Sequence, residues 1–163
     1  MKKVIWTLIV LGVLGGLNLL PFHADDVAGM LPVKTVFITR SGEEYSVDVG
    51  AGVQAVGRSL SEALERLREE SPGKVFLPTA EQIVLTDPDE DTVDAVAEET
   101  AFRPAAGICK THLPKPDAKA LGQYLEAHPS EYTILDLRAD LLTGTPASIP
   151  LVFQVDGGFR FGR

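Results

Sequence analysis

The sequence predicts an α+β fold: one mixed, largely antiparallel sheet with helices packed on it, preceded by an N-terminal hydrophobic helix. Three observations lead there. A 17-residue uncharged run, Val4 to Leu20, stands behind Lys2 and Lys3 and is separate in character from everything after it. In the remainder, short β-branched or alternating runs take turns with stretches of helical apolar spacing, which points to strands interleaved with helices. Two pairs of runs are joined by tight turn sequences, Arg40-Ser41-Gly42-Glu43 and Asp156-Gly157-Gly158, which predict hairpins and so antiparallel pairing.

Residues 1–24 form one unit and 25–163 another. At 1.5 Å per residue, the apolar run nearly spans a hydrocarbon core, so it reads as a signal anchor or a signal peptide. A cut after Ala24 would place Phe22 at −3, where cleavage requires a small residue, and this favours a retained anchor. The basic flank in front and Asp25-Asp26 behind orient the N-terminus to the cytoplasm and the domain outside, or secreted if the signal is removed.

Within the domain, VKTVFIT (33–39) and YSVDVG (45–50) predict the first hairpin, with Tyr45, Val47 and Val49 on one face. Ser59 and Glu62 have capping-box spacing, and Leu60, Leu64 and Leu67 follow at helical intervals. Gly73 lies just past that helix. Runs 74–77 and 82–86 predict two extended segments. Asp87-Pro88 begins the next helix, with acids in the first turn where the helix dipole favours them. A buried strand over 105–111 follows, then a helix over 116–127 with Ala118, Leu121 and Leu125 on its face. Residues 133–142 are helical or, given their short apolar runs, a strand. The chain closes with strands at 149–155 and 159–161.

Charge excludes one class of partner. The chain has 15 basic and 23 acidic residues; residues 25–163 keep 13 and 23, a balance of −10. Binding to phosphate backbones needs the opposite sign, so nucleic acid is not an expected partner. The single cysteine, Cys109, makes no internal disulfide.

Several motifs suggest chemistry without completing it. Asp87, Asp89, Asp91 and Glu98 have the ligand spacing of an EF-hand calcium loop, but its sixth position is Thr92 rather than glycine and its eighth is Asp94 rather than an apolar residue. A solvated helix N-terminus accounts for the acids. Gly52 to Ser59 has the glycine spacing of a phosphate loop, but Arg58 replaces the lysine, so a connection into a capped helix is the simpler reading. Cys109 and His112 fall on opposite faces of a strand, and His23 and His128 lie elsewhere, so no zinc set forms. Nothing resembles a nucleophile elbow, and Ser41 before Gly42 belongs to a turn. Catalytic, cofactor-binding and metal residues are all left unassigned, with no cofactor and no enzymatic activity expected.

The stretch Gly57-Arg58-Ser59-Leu60-Ser61-Glu62-Ala63-Leu64, followed by Pro72 to Leu77 and Gln82 to Leu85, resembles the N-terminal domain of the Ger(x)C family, the C subunits of spore germinant receptors. Asp136-Leu137, Leu141-Leu142 and Ile149-Pro150-Leu151-Val152 are similar to the helix and proline-containing strand that close that domain. Asp26 to Leu31 is similar to the region after its anchor, so the likeness covers about residues 26–161. It implies a non-catalytic domain on the outer side of the membrane that binds other membrane or receptor proteins in germination or sporulation. The family's lipid-bearing cysteine after the signal and its further domains have no counterpart in this sequence. Two other classes remain alternatives: an exported hydrolase, and a calcium-dependent module using Asp87, Asp89, Asp91 and Glu98.

Overall fold

The computed structural model of the chain describes residues 30–50, 52–71 and 74–162. The anchor over 1–24, His23 and the helix-ending Gly73 lie outside the described residues. Among those described, no helix is long and apolar enough to cross a membrane.

The first hairpin forms as its sequence predicts. Strands β2 (Thr35–Ser41) and β3 (Glu44–Asp48) pair antiparallel around Gly42, whose φ of 63° suits a residue without Cβ. Tyr45 and Val47 are buried, and Val49 packs half-buried beside them. The chain then returns as β4 (Gln54–Gly57), antiparallel to β3, through a loop in which Gly50 and Gly52 have φ of 79° and 77°. The phosphate-loop spacing thus contains a strand, so its backbone N–H groups are not gathered into a cradle. Helix α1 (Leu60–Glu70) follows; Ser59 accepts from the Glu62 N–H at 3.1 Å, and Glu62 reaches back to the Arg58 N–H at 2.8 Å.

The extended segments at 74–77 and 82–86 go to different sheets. Strand β5 (Lys74–Phe76) pairs in parallel with β1 (Met30–Pro32) as a small separate sheet. After a 3₁₀ turn at Leu77–Thr79, β6 (Gln82–Thr86) lies parallel to β2 with all five residues buried. Helix α2 (Glu90–Glu98) and β7 (Gly107–Thr111) follow. Next come α3 (Ala118–Ala127), α4 (Ile134–Thr143) and the hairpin of β8 (Leu151–Val155) with β9 (Gly158–Gly162). Residues 133–142 are thus resolved as helix, with Thr133 and Asp136 forming a reciprocal capping box and Gly144 ending it at φ 68°.

The seven-stranded sheet runs β4-β3-β2-β6-β7-β8-β9. Three of its neighbour pairings are parallel and three antiparallel, which corrects the expectation of a largely antiparallel sheet. The antiparallel pairs are confined to the two ends. The four central strands are joined by helix-containing crossovers, which return the chain to the same end of the sheet. Strands covered on both faces read as continuous apolar runs rather than alternations, as in Ile83-Val84-Leu85.

Helices α1, α2 and α4 cover one face, where Leu64, Leu67, Val96 and Leu137 meet Val36, Ile38, Ile83 and Ile108. Among the described residues α3 is the one helix on the other, placing Leu121 and Leu125 on Phe37, Val84, Cys109 and Val152. Full burial of each such side chain stabilises the fold by about 1.5–3 kcal/mol.

Candidate functional site

In an open sheet with parallel strands, ligands favour the crevice at the carboxyl ends where neighbouring connections leave toward opposite faces. That split falls between β6 and β7: α2 leaves β6 toward the three-helix face, and α3 leaves β7 toward the other. The residues immediately after the two strands meet there. His112 Nδ1 lies 2.6 Å from Asp87 Oδ1, with the two side chains 67 % and 58 % exposed, and the Asp87 N–H donates to Thr111 O at 2.9 Å. Asp87 holds φ at 42°, a left-handed conformation that costs a non-glycine residue about 1 kcal/mol or more.

A second charged group borders this pair. Arg40, near the end of β2, donates through Nη1 to Asp89 at 2.8 Å and to Asp91 at 2.7 Å, while its guanidinium lies 5.5 Å from the centre of the Tyr45 ring. The hydrogen bond to Asp91 raises the Arg40 pKa above its ordinary value. Asp89 caps α2, accepting from the Thr92 N–H at 2.9 Å and from its hydroxyl at 2.5 Å, and these bonds lower its pKa. Beside the split, on the α3 face, a cavity of about 230 Å³ opens beneath Pro114 and Pro116, lined by Thr39, Ser46, Thr86 and Lys115.

The four acids with EF-hand spacing are therefore dispersed. Asp87 turns to His112, Asp89 caps α2 and shares the Arg40 guanidinium with Asp91, and Glu98 stands at the far end of the helix. A calcium loop must wrap round its ion, whereas nine of the twelve residues from Asp87 to Glu98 are wound into α2. Among the described residues, no group of three or more His, Cys, Asp or Glu converges on a metal-sized space.

Cys109 and His112 separate, but not across one strand as their spacing predicts, because β7 ends at Thr111. The thiol is buried beneath α3, where loss of solvation pushes its pKa up to about 12, so it is a packing group rather than a nucleophile. His112 stands past the strand end. Its pairing with Asp87, 25 residues away, escapes a reading by local motif. The available signal was that each residue directly follows a strand; once those strands are parallel neighbours, their next residues must lie side by side.

The Asp87–His112 pair has the arrangement that orients an imidazole as a base. Among the described residues, no hydroxyl or thiol is hydrogen-bonded to His112.

A different kind of surface lies between α2 and α4. A groove of about 590 Å³ is walled by Ala97, Leu141 and Leu142 and rimmed by Asp94, Glu98 and Arg138. Arg138 ties the two helices together, donating to the carbonyls of Ala97 and Glu99 at the end of α2, both at 2.7 Å. No protein-family model, curated protein or solved structure matches the chain.

Proposed function

We propose that the chain is a membrane-anchored, extracytoplasmic, non-catalytic domain that acts by binding other membrane or receptor proteins. Residues 1–24 hold it to the membrane and residues 25–163 do the binding, in the manner of the germinant-receptor C subunits it resembles. One observation carries the reading: an acidic domain leaves large apolar side chains open to solvent, with Leu142 88 % exposed and Leu135 59 % exposed on α4, and Phe153 38 % exposed on β8. Of these, Leu142 lines the groove between α2 and α4 beside Asp94, Glu98 and Arg138, and apolar exposure at a charged rim supports protein contact. Purification of the tagged full chain from its native membranes is expected to enrich a discrete set of membrane proteins, and Leu142→Asp to reduce that enrichment without unfolding the chain. Enrichment of nothing beyond an unrelated anchored control would defeat the reading. Germination as the process is tested by deleting the gene in a spore-forming host, where normal germination with every germinant tried counts against it.

The Asp87–His112 pair favours a second reading, an exported hydrolase. His112→Ala is then expected to abolish cleavage in a panel of chromogenic esters and amides that the unaltered chain turns over. No turnover by the unaltered chain sinks that alternative.

A further inference from the structure

We infer that the outer edge of β9 is a docking strand for an extended segment of a partner protein, one carrying an acidic side chain between two bulky apolar ones. This rests on the protein-binding reading above and deepens it.

The hairpin register identifies which backbone groups are offered. Asp156 and Gly157 form a two-residue turn with φ of 49° and 78°, the signs of a type I′ turn, closed by the pair Val155 and Gly158. In such a hairpin, hydrogen-bonded and non-bonded pairs alternate from the closing pair outward. Arg160 and Gly162 are therefore bonded to β8, whereas the N–H and C=O groups of Phe159 and Phe161 point away from it. Among the described residues, these outward groups have no backbone partner.

The strand is also held ready. The hairpin is joined to β7 only by the pair Lys110 and Leu151, so it overhangs the sheet. Phe159 and Phe161 each stand 6.0 Å, ring centre to ring centre, from Tyr124 of α3, which supports the ribbon from one face. An edge already in strand conformation spares an arriving segment part of the ordering cost.

The free face determines what fits. Arg160 lies on it, exposed and without an ion pair among the described residues, on a domain whose balance is −10. Two residues before it Gly158 leaves bare backbone where a neighbouring strand's side chain would rest, and two residues after it Gly162 lies under the exposed ring of Phe153, whose Cε1 stands 3.0 Å from where a Cβ would be. An incoming acid opposite Arg160 gains a cross-strand ion pair, and apolar residues two places away cover Gly158 on one side and pack against the Phe153 ring on the other. A second copy of β9 is the poorer occupant, because antiparallel pairing about the strand centre sets Arg160 against Arg160.

The probe is a labelled nine-residue peptide of serine and threonine with aspartate at its centre and phenylalanine two places to either side, titrated into the full chain in detergent micelles by fluorescence anisotropy. Saturable binding is expected, with roughly tenfold loss when lysine replaces the aspartate. Arg160→Glu should invert that preference, and N-methylation of alternate peptide amides should abolish binding. Absence of saturable binding, equal affinity of the aspartate and lysine peptides, or indifference to N-methylation overturns the proposal. So does a concentration-dependent dimer through β9 seen by sedimentation. In native membranes, Arg160→Glu leaving every captured partner in place overturns the docking strand but leaves the protein-binding reading standing. Capture of nothing by the unaltered chain overturns that reading itself.

Discussion

At one end of the sheet β4 is closed over by α1, and at the other β9 overhangs with an outer edge that is unpaired among the described residues. Both are antiparallel end strands, and both carry glycines. Gly57 of β4 sits so close to α1 that a Cβ there would lie 2.5 Å from the Ala63 nitrogen, and Arg66 of the same helix donates to the Val56 carbonyl at 2.9 Å. The glycines of β9 meet no helix: a Cβ at Gly158 would have ordinary contact at 3.7 Å with the Val155 carbonyl, and one at Gly162 would touch only the side chain of Phe153 on the partner strand, at 3.0 Å. An open edge invites pairing and is normally covered or blunted. The difference indicates that the β4 end serves stability and the β9 end is available for contact.

The comparison breaks most readily at α1. Leu64, 1 % exposed, anchors that helix to the sheet, and Leu64→Ala is expected to cost about 2–5 kcal/mol in urea unfolding. An unchanged midpoint would mean that α1 does not hold the β4 end.

A matched pair of glycine substitutions sharpens the contrast. Gly57→Ala must push α1 away from β4 and is expected to cost about 1–3 kcal/mol, whereas Gly158→Ala should stay within about 0.5 kcal/mol. Equal effects at the two ends would contradict the difference in packing.

The smallest effect concerns the helix caps. Hydrogen bonds from Thr92 hold the Asp89 pKa below its ordinary 3.8, and bonds from Thr133 do the same for Asp136. A lowered folded pKa means stability that is present above the ordinary value and lost as pH falls through the folded one. Urea midpoints measured from about pH 5 down to pH 2 should therefore fall, and fall less steeply in Asp89→Asn and Asp136→Asn, which retain a capping oxygen. Identical acid limbs in variants and unaltered chain would remove the caps as a source of pH dependence.

Local elements were legible because their causes are local. Ser59 and Asp117 accept from backbone N–H groups just inside helices that their sequences announce, and Gly42 and Gly157 turn hairpins within a few residues. Strand β4 was not legible, since Gln54-Ala55-Val56-Gly57 is short and its buried positions, Ala55 and Gly57, are small. Of the candidate site, the burial of Cys109 followed from its place in an apolar strand. The Asp87–His112 meeting did not, because it depends on parallel register between β6 and β7.

Turn chemistry, capping and apolar periodicity act over a few residues, and so the two unlike parts of the chain, the hairpins, helices α1 to α3 and the burial of Cys109 could be read from the sequence, whereas residues 133–142 were left between helix and strand. Only the tertiary structure decided that the centre of the sheet is parallel, that residues 25 apart meet at its split, and that one end strand is closed while the other is open. Those outcomes depend on which strands become neighbours, and that choice is made by packing helices onto two faces of one sheet.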